Sequence, residues 1–129
     1  MELKKRLSIF TISLLFTIVL LRVFLSILPS TNLNFLGYNV HHLFVGSFLV
    51  VVSLVFFIFN IVNNFTIILS GISTALVLDE IVYLIATDGS DNSYLSSVSL
   101  FGAIILTSII LILAVLSQNY FPTISFLCA

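Results

Sequence analysis

Asp79 and Glu80 stand side by side inside an apolar stretch, residues 67–84 (IILSGISTALVLDEIVYL), that is long enough to cross a bilayer. Ionised carboxylates at membrane depth are costly, so they face a partner, a cavity or a bound ion rather than lipid. His41 and His42 open the preceding apolar stretch, and Arg22 interrupts the first one. Three chemistries are open to this set. Imidazole nitrogens and carboxylate oxygens suit zinc, iron or manganese, and two histidines with one carboxylate leave positions for water or substrate. In that version His41, His42 and Asp79 hold one divalent metal ion. Glu80 is then the candidate catalytic residue, orienting or deprotonating a bound water in a small intramembrane hydrolase. Alternatively, Arg22 forms a buried ion pair with one of the carboxylates, and His41 and His42 cap a helix at headgroup level. The third chemistry is proton or ion movement, or capture of a lipid headgroup, with Arg22 on a phosphate and Asp79 on an ammonium.

The elements that must position these groups are membrane helices. Of 129 residues, 60% are hydrophobic and only 7% charged, with a mean hydropathy of +1.33, whereas soluble domains are about 25% charged. No polar stretch is long enough to build a soluble domain. The formal charge is −1, and the four basic residues are Lys4, Lys5, Arg6 and Arg22, which excludes the broad basic face that nucleic acid needs. Cys128 is the only cysteine, so no intrachain disulfide or thiolate cluster can form. There is no Gly-x-Ser-x-Gly elbow, phosphate-cradling glycine loop or dinucleotide fingerprint.

Four apolar runs predict four transmembrane helices at about residues 7–28, 43–62, 65–87 and 97–116, in one integral membrane domain covering residues 1–129. The first is longer than a secretory signal core and is followed by SILPSTN without a small-x-small cleavage site, so it is read as a retained helix. The fold class expected is all-α: a polytopic four-helix bundle with short loops. Asn63 and Asn64 make the turn between the second and third helices, and residues 88–93 (DGSDNS) form an acidic turn before the fourth. The basic head Lys4, Lys5 and Arg6 stays inside by the positive-inside rule, which places both termini in the cytoplasm. Asn64, Phe65 and Thr66 spell a glycosylation acceptor that then lies on the cytoplasmic side and is read as chance. The tail beyond residue 118 turns apolar again and is expected along the membrane surface.

At about 1.5 Å per residue, Asp79 and Arg22 both lie roughly 21–22 Å above the inner ends of their helices. His41 and His42 open the second helix at its outer end. Arg22, His41, His42, Asp79 and Glu80 therefore form one expected polar layer in the outer leaflet. Spacing predicts how that layer is enclosed. Gly71, Ala75, Asp79 and Tyr83 recur every four residues, and His42, Gly46, Leu49, Ser53 and Asn60 follow one helical stripe. Small residues at such spacing let helices approach closely, so Gly46, Gly71, Ala75 and Gly102 are the expected packing positions. Ser99, Gly102, Ala103 and Ser108 offer a weaker small face on the last helix.

A His-His pair opening one helix, a glycine shortly after it, and a small-residue run closing in Ala-Leu-x-x-Asp-Glu on the next helix together carry a resemblance. Here these are His41, His42 and Gly46, then Gly71, Ser73, Ala75, Leu76, Asp79 and Glu80. In this middle third the chain resembles small uncharacterised prokaryotic four-helix integral membrane proteins. The resemblance implies that the His pair and the acidic pair belong together, and it implies no activity. The expected function is an accessory or structural subunit of a larger complex in a prokaryotic cytoplasmic membrane, whose partners are the bilayer and other membrane subunits or further copies. The metal-dependent hydrolase is the alternative, and a protein binding protons, ions or lipid headgroups is the third reading.

Overall fold

A computed structural model describes residues 2–28, 34–35, 38–39 and 41–120. The chain is all-α in its main elements: α1 (Leu3–Ile27), α2 (His42–Ile58), α3 (Asn64–Ala86), a one-turn α4 (Asp91–Tyr94) and α5 (Ser97–Tyr120). Between α1 and α2, two-residue strands β1 (Asn34–Phe35) and β2 (Tyr38–Asn39) pair antiparallel. Residues 29–33, 36–37 and 40 between α1 and α2, and the tail from residue 121 with Cys128, lie outside the described residues. Three helices are long and apolar enough to cross a membrane: α1 and α3, at 25 and 23 residues, and α5, through the 22 residues Ser97–Gln118. The fourth, α2, has 17 residues, or about 25 Å, short of a hydrocarbon core of about 30 Å.

The expected second helix of residues 43–62 is therefore too long at its C-terminal end. Asn60 adopts the left-handed backbone, with φ of 57°. The Ile61 N–H bonds the Phe56 carbonyl at 2.9 Å and the Asn60 N–H bonds the Phe57 carbonyl at 3.0 Å. This six-to-one and five-to-two pattern is a Schellman closure, whose left-handed position is usually glycine and sometimes, as here, asparagine. Asn60 consequently leaves the helical stripe on which its spacing placed it. The turn is also longer than Asn63 and Asn64 alone, because the chain stays non-helical from Phe59 to Asn63. α3 then starts on a reciprocal cap: the Asn63 side chain accepts from the Thr66 N–H, and the Thr66 hydroxyl accepts from the Asn63 N–H, both at 3.0 Å. Two donors that lipid could not satisfy are bonded within the chain.

α3 is the axis, with α1, α2 and α5 packed around it. α2 rests chiefly on α3, while α1 and α5 touch each other only slightly. Small residues permit this. A Cβ added at Gly71 would meet Ser13 Oγ at 2.0 Å and the Phe10 carbonyl oxygen at 2.8 Å, and one at Gly46 would meet Leu76 Cβ at 2.7 Å. At Gly102 it would meet Val82 Cγ1 at 2.2 Å. Leu14, Ala75 and Leu78 form the buried apolar centre, with Phe10, Ile18, Leu106 and Ile110 packed against it. Outward faces carry large apolar side chains such as Phe16, Phe48, Ile58, Phe101 and Ile105, as a bilayer solvent requires. Ser108 lies on such an outward face, bonded back to the Ile104 carbonyl at 2.8 Å, so it is not part of the contact surface its spacing suggested.

Candidate functional site

The buried polar groups of α3 lie along one side and end in Asp79 and Glu80, which are 0% and 1% exposed. Adjacent residues on a helix diverge by about 100°, so the two carboxylates address different neighbours. Asp79 turns toward α1: Arg22 Nε donates to Asp79 Oδ1 at 2.7 Å. The remaining guanidinium donors reach the connection and α5. Nη1 donates to the Tyr94 carbonyl at 2.9 Å, and Nη2 donates to Ser99 Oγ at 3.1 Å. Tyr94 completes this half. Its hydroxyl donates to Asp79 Oδ2, and its ring lies 4.5 Å from the guanidinium carbon. Burial, reinforced by the Asp79 carboxylate, pushes the Tyr94 phenol upward, so it remains a donor. One guanidinium thus ties α1 to α3, α4 and α5, with cation–π contact added to charged hydrogen bonds.

Glu80 turns toward α2. His41 Nδ1 lies 2.7 Å from Glu80 Oε1, His42 Nδ1 lies 3.3 Å from Glu80 Oε2, and the Leu43 N–H donates to Oε2. His42 Nε2 faces Asp79 Oδ2 at 3.7 Å. Both imidazoles reach the carboxylates because α2 begins between them. His41 is the N-cap, with extended backbone at φ −63° and ψ 142°, and His42 is the first helical residue. Had both been inside the helix, their divergence would have kept one away. The placement also puts a carboxylate against the free N–H groups of the first turn, which suits the positive end of a helix. Edge-on ring contacts run from Tyr94 to His42 at 5.9 Å and to Tyr83 at 5.3 Å, walling one side of the layer. Tyr83 in turn donates to the Gly89 carbonyl at 2.5 Å, fastening the loop that carries Tyr94.

Arg22, His41, His42, Asp79 and Glu80 therefore occupy one layer, joined by two residues that spacing did not single out for it. Ser99 was visible only as part of a small-residue face. Tyr94 sits in a polar connection where no periodicity applies. Its one signal is that it is the sole aromatic between Tyr83 and Phe101. Among the described residues, no group of three or more His, Cys, Asp or Glu side chains is arranged to hold a metal ion. The four glycine and alanine packing positions divide between helices as follows: Gly71 faces α1, Gly46 and Gly102 approach α3 from α2 and α5, and Ala75 is fully buried in the centre.

Comparison of the chain with protein-family models, with curated proteins and with solved structures finds no match. What the site can do is read from its own chemistry. It consists of a closed ion pair on Asp79 and a more open imidazole cluster on Glu80, with the His41 side chain 34% exposed against 11% for Arg22.

Proposed function

We propose that the protein is a small accessory subunit of a prokaryotic cytoplasmic membrane, with both termini in the cytoplasm, which works by assembling with other membrane helices or with further copies of itself. The observation that carries this reading is the commitment of the Arg22 half of the layer. Arg22 donates to Asp79, to the Tyr94 carbonyl and to Ser99, so the costliest charges in the membrane serve to hold this chain's own helices together. Such a core presents preorganised apolar faces on α1, α2 and α5 for partners. The short connections leave little chain for enclosing a substrate, and Lys4, Lys5 and Arg6 at the start support the orientation.

The test is photo-crosslinking in living cells from Phe16 on α1 and Phe101 and Ile105 on α5, three exposed positions. Discrete protein adducts at a subset of positions, including adducts between copies, are expected. Adducts to lipid alone from all three would overturn the reading. Cysteine labelling at Lys5 and Gln118 from the two sides of the membrane checks the orientation, and labelling of either from outside would contradict it.

A further inference from the structure

The basic start of α1 borders a groove that the helix packing leaves open. α1 and α5 both lean on α3 and touch each other only slightly, and where the start of α1 meets the end of α5 a groove of about 340 Å³ lies between them. Leu3, Leu7 and Phe10 line it from one face of α1. Ala114 and Ser117 line it from α5, and the half-buried Arg6 and Gln118 complete the wall. From Leu3 to Phe10 the helix rises about 10 Å, so the groove runs from the end of the helix well into the apolar part of the bundle.

Two properties of the groove select what fills it. Its walls are mostly hydrocarbon, and in a bilayer an empty cleft between helices forfeits dispersion contacts on both sides, so an acyl chain fits its depth. Its mouth is cationic. Lys4, Lys5 and Arg6 stand there against a single acid, Glu2, and α5 contains no charged residue. The carboxylates of Asp79 and Glu80 are remote, near the other end of α1 where Arg22 meets Asp79. The first turn of α1 also has no side-chain cap, so its N–H groups add to the positive end. We propose that this groove is a binding site for an anionic phospholipid, one acyl chain lying between Leu7 and Ala114 and the phosphate held at Arg6, with Lys4 and Lys5 beside it.

The chemistry at the mouth separates anionic from zwitterionic lipid. A guanidinium fork matches two phosphate oxygens, and basic pockets between membrane helices recognise acidic headgroups in this way. Lys5 also borders the neighbouring recess formed with Glu2, Asn63 and Asn64, so Arg6 is the cation that lines the groove itself. On α5, Ser117 spends its donor on the Leu113 carbonyl at 2.8 Å, which leaves the Gln118 amide as the donor on that wall. A choline or ethanolamine headgroup would bring an ammonium to the same three cations, with only Glu2 to receive it. The lipid site is independent of the subunit reading, because it requires no protein partner.

The experiment uses the full-length protein in phosphatidylcholine nanodiscs doped with phosphatidylglycerol or phosphatidylcholine that carries a diazirine on one acyl chain. On illumination the phosphatidylglycerol probe should label Leu7, Phe10 and Ala114 well above the outward-facing Ile12 and Ile112, while the phosphatidylcholine probe labels the two sets alike. Unlabelled phosphatidylglycerol should compete, and inorganic phosphate should not. Arg6→Gln should weaken that competition about fivefold, the worth of one basic side chain at a membrane surface. Ala114→Phe fills the groove, keeps the three cations and should abolish the preference. The wild-type pattern decides between the two lipids by itself, so the test counts even where a variant fails to fold. Equal labelling of the groove by both probes, displacement by inorganic phosphate, or a preference retained in a folded Ala114→Phe overturns the proposal. So does ready disulfide formation between Cys128 and a cysteine placed at Leu7, which would assign the groove to the chain's own tail.

Discussion

Asp79 shows what one charge does at membrane depth. It accepts Arg22 Nε at 2.7 Å and the Tyr94 hydroxyl, with no exposure of its own. Asp79→Asn keeps the size and removes the charge, leaving Arg22 without a counter-ion. Breaking a buried pair this way costs about 3–5 kcal/mol, so the variant should unfold at markedly lower denaturant than the wild type in detergent micelles. Arg22→Met combined with Asp79→Leu should recover most of that loss, since neither member of the pair is left without its partner. A single variant as stable as the wild type would show that the pair holds nothing together. At this scale the sequence was informative where helices made heights countable: the rise per residue put Arg22 and Asp79 at one level, and the structure brings them into contact. Tyr94 was not legible, because its position depends on how a polar connection folds back over the layer.

Between elements, close approach decides the packing. Gly71→Ala places a methyl 2.8 Å from the Phe10 carbonyl oxygen and closer still to Ser13 Oγ. The Ser13 hydroxyl already donates to its own helix at 2.9 and 3.0 Å, and the Phe10 carbonyl belongs to the backbone, so α1 has to move. Overpacking of this kind costs about 1–3 kcal/mol, and cysteine cross-linking between α1 and α3 should fall accordingly. Unchanged cross-linking would mean that α1 is not held by this contact. At the other end, Asn63→Ala removes the reciprocal cap of α3 and should cost about 1 kcal/mol, measured by the same denaturant titration. No loss there would show that water or headgroups replace the cap. Helix existence followed directly from four apolar runs. Helix ends did not: α2 stops at Ile58 because Asn60 turns left-handed, an outcome hydropathy is blind to, since residues 61–62 are as apolar as those before them.

Taken as a whole, the molecule is one central helix dressed by three others, and its stability should be graded in the same order. α3 carries Gly71, Ala75, Leu78, Asp79 and Glu80 among its buried residues, while α2 packs chiefly on α3. Hydrogen exchange in lipid nanodiscs should therefore find the α3 amides slowest and the ends of α2 among the first to exchange within the helices, because local opening follows contact density. Exchange of α3 at the rate of α2 would contradict a central role. Some of this was settled by sequence alone. Apolar length and the scarcity of charge required membrane helices, and hydrocarbon leaves a backbone few other ways to satisfy itself. The need for Asp79 and Glu80 to meet polar partners also followed from residue type, since an isolated charge there is too costly. Tertiary structure decided which partner each carboxylate received. Side-chain direction on α3, the start of α2 between His41 and His42, and the return of Tyr94 over the layer are set by packing and backbone turns, and none of these has a periodic signature. That is why Arg22 closes on Asp79 while the histidines gather at Glu80.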